Sequence, residues 1–235
     1  MPGRLQNKVA LITGSSGGLG RQIALAYASE GALLCCCDLY PSPRKPANET
    51  TGTAPDHHTR LSSTETTVAE VARLYPDSRP TFVTCDVTSA QSWEQAVAEC
   101  VEVFGRLDVL VNNAGISVES TMEVPKGVHE LDEADWEKTM AINAKGVFLG
   151  CKYGIGQMLR QGEREEGGDR GWVVNTSSVQ GLVAYYNVGA FFGLLGWWKT
   201  ERAEKPTEWA RSRRRSTMRS KVALPTYGRY CQHPA

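Results

Sequence analysis

Closely spaced glycines stand between an apolar run at 8–12 and a segment at 21–28 whose apolar residues recur at helical spacing. A strand, a glycine turn and a helix in this order let the backbone approach a phosphate, which the free N–H groups of the helix N-terminus then bind. We therefore predict that this turn, the glycine loop of residues 14–20, holds the pyrophosphate of a dinucleotide, although an ordinary glycine-rich turn would look similar. The binding candidates in the glycine loop are Gly14, Ser16, Gly18, Leu19 and Gly20.

A carboxylate ends the second apolar run. Asp38 follows the run at 32–37 and lies 24 residues after Gly14. That is close to the roughly 20-residue spacing of the acidic residue that bonds ribose hydroxyls in dinucleotide sites. Because a carboxylate accepts from a 2′-hydroxyl and repels a 2′-phosphate, Asp38 favours NAD over NADP. Two alternatives stay open: Arg44 and Lys45 could hold a phosphate, and Asp38 could be a solvated residue at a strand end.

Polar and small residues follow three further apolar runs, at 81–85, 107–111 and 171–176. Open α/β sheets bind ligands outside the carboxyl ends of their strands, so these residues are candidates for the rest of the site. A carboxylate there can bond the adenine amino group, and small residues let the backbone pass close to a flat ring. The candidates are Asp86, Val87, Asn113, Ala114, Gly115 and Ser178.

The elements that position these residues alternate between strand and helix. This order predicts a doubly wound α/β fold, a parallel sheet with helices on both faces. We expect helices at 64–74, 89–104 and 132–161. The last contains Asn143 in its interior, a costly place for a side chain that prefers helix caps. Residues 41–63 are rich in Pro, Thr, Asn and Ser without an apolar period, and they are predicted to form a surface insertion.

Length and composition fit one α/β domain. The chain has 235 residues and a formal net charge of zero, which gives no overall attraction to nucleic acid or to an anionic membrane. No secretory signal precedes the first strand, so we expect a cytoplasmic protein. The seven cysteines show no metal-ligand spacing. Cys35, Cys36 and Cys37 are interpreted as small buried side chains in a reducing compartment.

This constellation resembles the short-chain dehydrogenase/reductase family over residues 5–188. The Thr-Gly-x-x-x-Gly-x-Gly pattern is present in the first turn, and the Asn-Asn-Ala-Gly motif occupies residues 112–115. Asn143 stands where the family has an asparagine in a helix. Ser178, three residues before Gly181, matches the position of the family's catalytic serine.

The resemblance implies a fold, a reaction and roles. The fold is a single NAD(P)-binding Rossmann domain, here residues 1–189. The reaction is hydride transfer between a nicotinamide cofactor and a small secondary alcohol or ketone. Ser178 would hold the substrate oxygen, and Asn143 would anchor a water in the proton relay. Family members are usually homo-oligomers, and neither a metal nor a nucleic-acid or membrane partner is expected.

The resemblance fails where the family has its general acid/base. A Tyr about thirteen residues after the serine, with a Lys four residues further on, would fall at Phe191 and Leu195. General acid/base catalysis contributes roughly 10²–10⁴-fold in rate. We therefore expect an impaired enzyme, with Tyr185 or Tyr186 as possible substitute proton donors or as packing residues.

Residues 190–235 depart from the family throughout. Within 201–235, nine Lys and Arg stand against three acidic residues, and no strand-like apolar run occurs. We expect a basic, poorly ordered tail that lacks the last two strands of the family's sheet and part of its oligomer interface. Three interpretations stay open. They are a frameshift or splice product, a non-catalytic NAD-binding regulatory or interaction protein that uses the tail, and membrane association through 182–198.

Overall fold

Short apolar runs form one parallel sheet in the computed structural model, which describes residues 2–42, 65–118, 122, 128–163 and 168–178. The strand order is β3-β2-β1-β4-β5, and every neighbouring pair is parallel. The chain runs outward from β1 to β3 on one side and from β4 to β5 on the other, so the order reverses between β1 and β4. The predicted doubly wound α/β fold is confirmed. The strands are β1 Val9–Thr13, β2 Leu33–Asp38, β3 Thr81–Thr84, β4 Val109–Asn112 and β5 Trp172–Asn175.

Among the described residues, five α-helices connect and cover the strands. The first begins at Gly18, inside the glycine loop and before the predicted start at 21. The second begins at Thr67, because the side chain of Thr66 accepts a hydrogen bond from the Ala69 N–H and caps the helix there. The helices are α1 Gly18–Ser29, α2 Thr67–Leu74, α3 Ala90–Phe104, α4 Glu133–Met140 and α5 Gly146–Arg160.

Each face of the sheet has its own core. Alternate residues along a strand point to opposite faces, so Cys35 and Cys37 lie on the face that also buries Trp93 of α3 and Met158 of α5. Cys36 lies on the other face, which packs against α1 and α2. All three cysteines are fully buried, as the sequence predicts.

The predicted long helix 132–161 is present as continuous helical backbone from Glu133 to Arg160, but it is not α-helical throughout. Between α4 and α5, residues Ala141–Lys145 form a π-helical turn. A π turn carries one more residue than an α turn, and such turns are frequent at functional sites. The physical reason lies in Asn143: its Oδ1 accepts from the N–H of Ile116 at 2.9 Å, and its Nδ2 donates to the carbonyl oxygen of Ile116 at 2.8 Å.

Several predictions fall outside the described residues. They concern most of the surface insertion, Gly181, the tyrosines at 185 and 186, the positions Phe191 and Leu195, and the basic tail. The domain boundary at 189, the missing strands and the cytoplasmic location therefore stay predictions. None of the described helices has both the length and the apolar composition needed to cross a membrane.

Candidate functional site

The glycine loop joins the end of β1 to the N-terminus of α1. Gly14 has φ +68° and Gly18 has φ +49°, a left-handed conformation that other residues rarely adopt. A Cβ added at Gly20 would overlap the carbonyl oxygen of Gly14. By contrast, a Cβ on Gly17 or Gly18 would meet no atom within 4 Å, and the N-cap Gly17 provides no side-chain cap. The space beside the first residues of α1 is thus open on the side of Gly17 and Gly18, which suits the approach of an anion to a helix N-terminus.

Both serines of the glycine loop point inward. The hydroxyl of Ser15 donates to the carbonyl oxygen of Cys37 at 3.1 Å. The hydroxyl of Ser16 donates to the carbonyl oxygen of Tyr40. Ser16 is 5% exposed, so the side chain of this predicted cofactor residue fastens the chain after β2 to the glycine loop.

Asp38 lies at the edge of the glycine loop, where the sequence predicts it. Its Oδ2 accepts from the backbone N–H of Ser16 at 3.1 Å, and its Oδ1 accepts from the N–H of Leu39 at 2.8 Å. A carboxylate oxygen has capacity for a second hydrogen bond. The two backbone contacts therefore orient the group and leave it able to accept from vicinal hydroxyls.

A buried ion pair behind the glycine loop was not foreseen from the sequence. Arg21 is 3% exposed, and its guanidinium contacts Glu70 of α2 at 2.6 Å and donates to the carbonyl oxygen of Glu65 at 2.8 Å. The hydroxyl of Thr67 donates to the carbonyl oxygen of Ser15 at 2.7 Å. We call the contacts of Arg21 with Glu65 and Glu70 the Arg21 clamp. An arginine on the apolar face of α1, next to Gly20, was the available signal.

The end of β4 is tied to the end of β1. The hydroxyl oxygen of Thr13 accepts from the N–H groups of Asn113 and Ala114 at 3.0 and 3.1 Å. The side-chain amide of Asn113 donates to the carbonyl oxygen of Thr13 at 3.0 Å. A Cβ at Gly14 would lie 2.9 Å from the Cα of Ala114. The structure thus brings the predicted residues of both strand ends into contact.

Two further predicted residues follow β3. Asp86 is exposed, and its Oδ1 accepts from the N–H and the hydroxyl of Thr88 at 2.9 and 2.8 Å. Val87 is buried and packs against Gly146, the first residue of α5. Asp86 therefore lies on the same side of the site as Asp38, whereas Val87 supports the helix that follows the π turn.

The predicted reaction side of the site comprises Asn143 and the segment after β5. The Asn143 amide holds Ile116, so it fixes the backbone that follows Gly115; a Cβ at Gly115 would lie 3.3 Å from Asn143 Oδ1. Ser178 is half-buried and lies three residues beyond Asn175, the end of β5. Asn143 and Ser178 therefore follow the two strands on the other side of β1 from Asp38.

The surroundings of two buried thiols, Cys36 and Cys85, favour the protonated form. Burial raises the pKa of Cys36 to about 12 and that of Cys85 to about 12. A thiol in this state is a poor nucleophile and a poor metal ligand. Within the described part of the chain, no three side chains of His, Cys, Asp or Glu converge on a point suited to a metal ion.

The family model of short chain dehydrogenases matches this chain over residues 57–192. An uncharacterized oxidoreductase of Thermotoga maritima is 37% identical over 179 residues, which are 76% of this chain and 56% of that protein. The trans-4-hydroxycyclohexanecarboxylate dehydrogenase of Sinomonas cyclohexanicum is 34% identical over 201 residues, 84% of this chain and 66% of that protein. The 15-hydroxyprostaglandin dehydrogenase (NAD+) of Homo sapiens is 30% identical over 179 residues, 76% of this chain and 53% of that protein.

Among solved structures, that of levodione reductase superposes with a TM-score of 0.61 at 29% identity, over 80% of this chain and 60% of that one. The chain spans only 53% to 66% of the length of the three curated relatives. Because the family model matches more than half of the sequence, and because relatives of 34% and 37% identity agree with it, this chain belongs to the short-chain dehydrogenase family.

Proposed function

We propose that this chain binds NAD(P) at the carboxyl ends of β1 to β5 and prefers NAD. The observation that carries the proposal is the pairing of an open helix N-terminus at Gly17 and Gly18 with the Asp38 carboxylate, which the Ser16 N–H orients at 3.1 Å. The helix end suits a pyrophosphate, and the carboxylate suits a ribose that carries a free 2′-hydroxyl. The name of the human relative, which specifies NAD+, supports the preference.

The second half of the proposal is hydride transfer to or from a small secondary alcohol or ketone. The nicotinamide supplies the hydride chemistry when the cofactor is bound. Asn113, Ala114 and Gly115 offer a small-residue floor for the ring, kept in place by Thr13 and by Asn143. Ser178 would donate a hydrogen bond to the substrate oxygen. Dehydrogenase activity in the names of several relatives supports this reaction class.

A specific sequence observation favours a second candidate. Phe191 and Leu195 occupy the positions at which the family resemblance implies a Tyr and a Lys. Phe has no proton to give, and Leu has neither a charge nor a donor. The second candidate is therefore an NAD-binding regulatory or interaction protein whose turnover is low or absent. NADH binding without turnover on a panel of secondary alcohols and ketones would identify it.

The cofactor preference is tested by titrating the purified chain with NADH and with NADPH, followed by calorimetry. We expect NADH to bind about tenfold or more tightly than NADPH, because a fixed carboxylate repels the 2′-phosphate. Asp38→Ala removes both the acceptor and the charge, so it weakens NADH binding and narrows the difference between the affinities for NADH and NADPH. Asp77→Ala, which removes an exposed acid on the 3₁₀ turn Pro76–Ser78, is the matched control. Tighter binding of NADPH by the unchanged chain would refute the preference.

The reaction is tested on the same samples. If turnover of a ketone with NADH is measurable, we expect Ser178→Ala to reduce it strongly without changing NADH affinity. Turnover that survives Ser178→Ala would show that this serine does not hold the substrate oxygen.

A further inference from the structure

Two asparagines end neighbouring strands at the same level of the sheet. Asn112 is the last residue of β4, Asn175 is the last residue of β5, and the strand register pairs them. The Nδ2 of Asn112 donates to the Oδ1 of Asn175 at 2.8 Å. We call this contact the amide bridge. The N–H of Thr176 continues the ladder one step further by donating to the carbonyl oxygen of Asn112 at 2.9 Å.

The amide bridge lies in the protein interior, where polar groups are disfavoured. Asn112 is 3% exposed, and within the described part of the chain its Oδ1 has no hydrogen-bond partner. A buried acceptor without a donor costs free energy, which an apolar side chain in this position would avoid. A Cβ at Gly150 of α5 would overlap this same oxygen. The helix therefore leaves room for an amide whose hydrogen-bonding capacity is only partly used.

The amide bridge stands directly beneath the reaction side of the site. The residue after Asn112 is Asn113, whose Nδ2 binds the carbonyl oxygen of Thr13 and whose Oδ1 accepts from the Thr176 hydroxyl at 3.4 Å. The residues after Asn175 lead to Ser178. The bridge thus connects the floor of the site to the strand that carries its hydroxyl, at the last point where both strands are regular.

Helix α5 also contacts the amide bridge, through Cys151. The sulfur of Cys151 lies 3.6 Å from Asn112 Nδ2 and 3.8 Å from Asn175 Oδ1. Thiols form only weak hydrogen bonds. The strong contact in this group is the one between the two amides, so a change at Asn175 acts first on the spacing of the two strand ends.

We propose that Asn175 is a positioning residue, which acts through Asn112 to fix the small-residue floor Asn113–Gly115 under the nicotinamide and to hold Ser178 at a fixed place relative to that floor. This inference rests on the proposed NAD(P) binding. In this proposal, neither Asn112 nor Asn175 contacts the cofactor. The adenosine part of the cofactor would lie over β1 and β2, away from the bridge, so the loss of the bridge acts on the nicotinamide part alone.

The test compares NADH with ADP-ribose, which lacks the nicotinamide. Asn175→Ala removes the acceptor, and we expect it to weaken NADH binding about tenfold, as the loss of one well-placed contact does, while ADP-ribose affinity is unchanged. Asn175→Asp keeps an acceptor opposite Asn112 and is expected to restore most of the NADH affinity. Thermal melting of each variant establishes that it is folded.

Other outcomes overturn the inference. Equal weakening of NADH and ADP-ribose, or no weakening of either, means that the bridge does not position the nicotinamide side. If Asn175→Ala does not fold, Asn175→Ser takes its place; if neither folds, the bridge is purely structural and the inference is wrong. If the unchanged chain binds neither ligand, the proposed NAD(P) function itself fails, which is a distinct result.

Discussion

The two sides of the site are shaped by different kinds of contact. At the ends of β1 and β2, the shape depends on missing side chains and on backbone donors: Gly14, Gly18, Gly20 and the N–H that orients Asp38. At the ends of β4 and β5, it depends on the side-chain amides of Asn112, Asn113, Asn143 and Asn175. We call these the glycine side and the amide side. The first has no room for a side chain at Gly14 or Gly20, whereas the second depends on particular donors and acceptors.

Gly20→Val is the strongest test of this comparison. The new side chain would overlap the carbonyl oxygen of Gly14, so the glycine loop must move from the position at which it presents its N–H groups. We expect NADH and ADP-ribose affinities both to fall by about 100-fold or more, in contrast to the selective loss predicted for Asn175→Ala. Calorimetry measures both. Gly162→Val, at a position where a Cβ meets no atom within 4 Å, is the control. Retained ADP-ribose binding in Gly20→Val would contradict this account of the glycine side.

Arg21→Met tests the Arg21 clamp, which supports the glycine side from behind. The substitution removes a buried guanidinium and leaves Glu70, which is 20% exposed, without its partner, so we expect a loss of roughly 2–3 kcal/mol in the free energy of unfolding. Denaturant titration measures it. Arg4→Met removes the guanidinium from an ion pair with Glu30 whose arginine is 85% exposed, and its effect is expected to be far smaller because solvent screens that pair. Equal effects of the two substitutions would show that the clamp contributes no more than a surface pair.

Asn143→Ala is the smallest of the expected effects and tests the amide side. The substitution leaves the N–H and the carbonyl oxygen of Ile116 without their partner, at a cost of roughly 1–3 kcal/mol. Denaturant titration again gives the value. Gln157→Ala, in α5, is the control, because it removes a side-chain amide that accepts a hydrogen bond from the exposed Arg160 side chain. A midpoint no lower than that of the control would mean that the π turn forms without the Asn143 contacts.

Local patterns in the sequence predicted the glycine side well. Strand β1, the glycine loop and Asp38 lie within one short stretch, and each has a signature of its own: branched apolar residues, closely spaced glycines and a carboxylate at a strand end. The predicted sheet and its helices follow from the same periodicities. The start of α1 was missed by a few residues because glycine is a poor helix former, although its backbone can still open a helix.

The amide side and the clamp could not be predicted in the same way. The Asn143 contacts reach Ile116, 27 residues away; the Arg21 clamp reaches Glu70, 49 residues away; and the amide bridge joins residues 63 apart. Contacts between residues so far apart in the sequence leave no periodic pattern within a short segment. An asparagine in a helix interior was a visible anomaly, but only the fold shows that the π turn and the distant backbone of Ile116 account for it.

The Arg21 clamp has a consequence for insertions and deletions between β2 and α2. After β2, the carbonyl oxygen of Tyr40 accepts a hydrogen bond from Ser16, and before α2, the carbonyl oxygen of Glu65 accepts one from Arg21. Both hydrogen-bond donors therefore lie within residues 16–21. The entropic cost of holding two anchors this close together rises only with the logarithm of the number of residues between them. Residues can therefore be added or removed between these anchors with little strain on the glycine loop, which makes this stretch a natural place for evolution to vary.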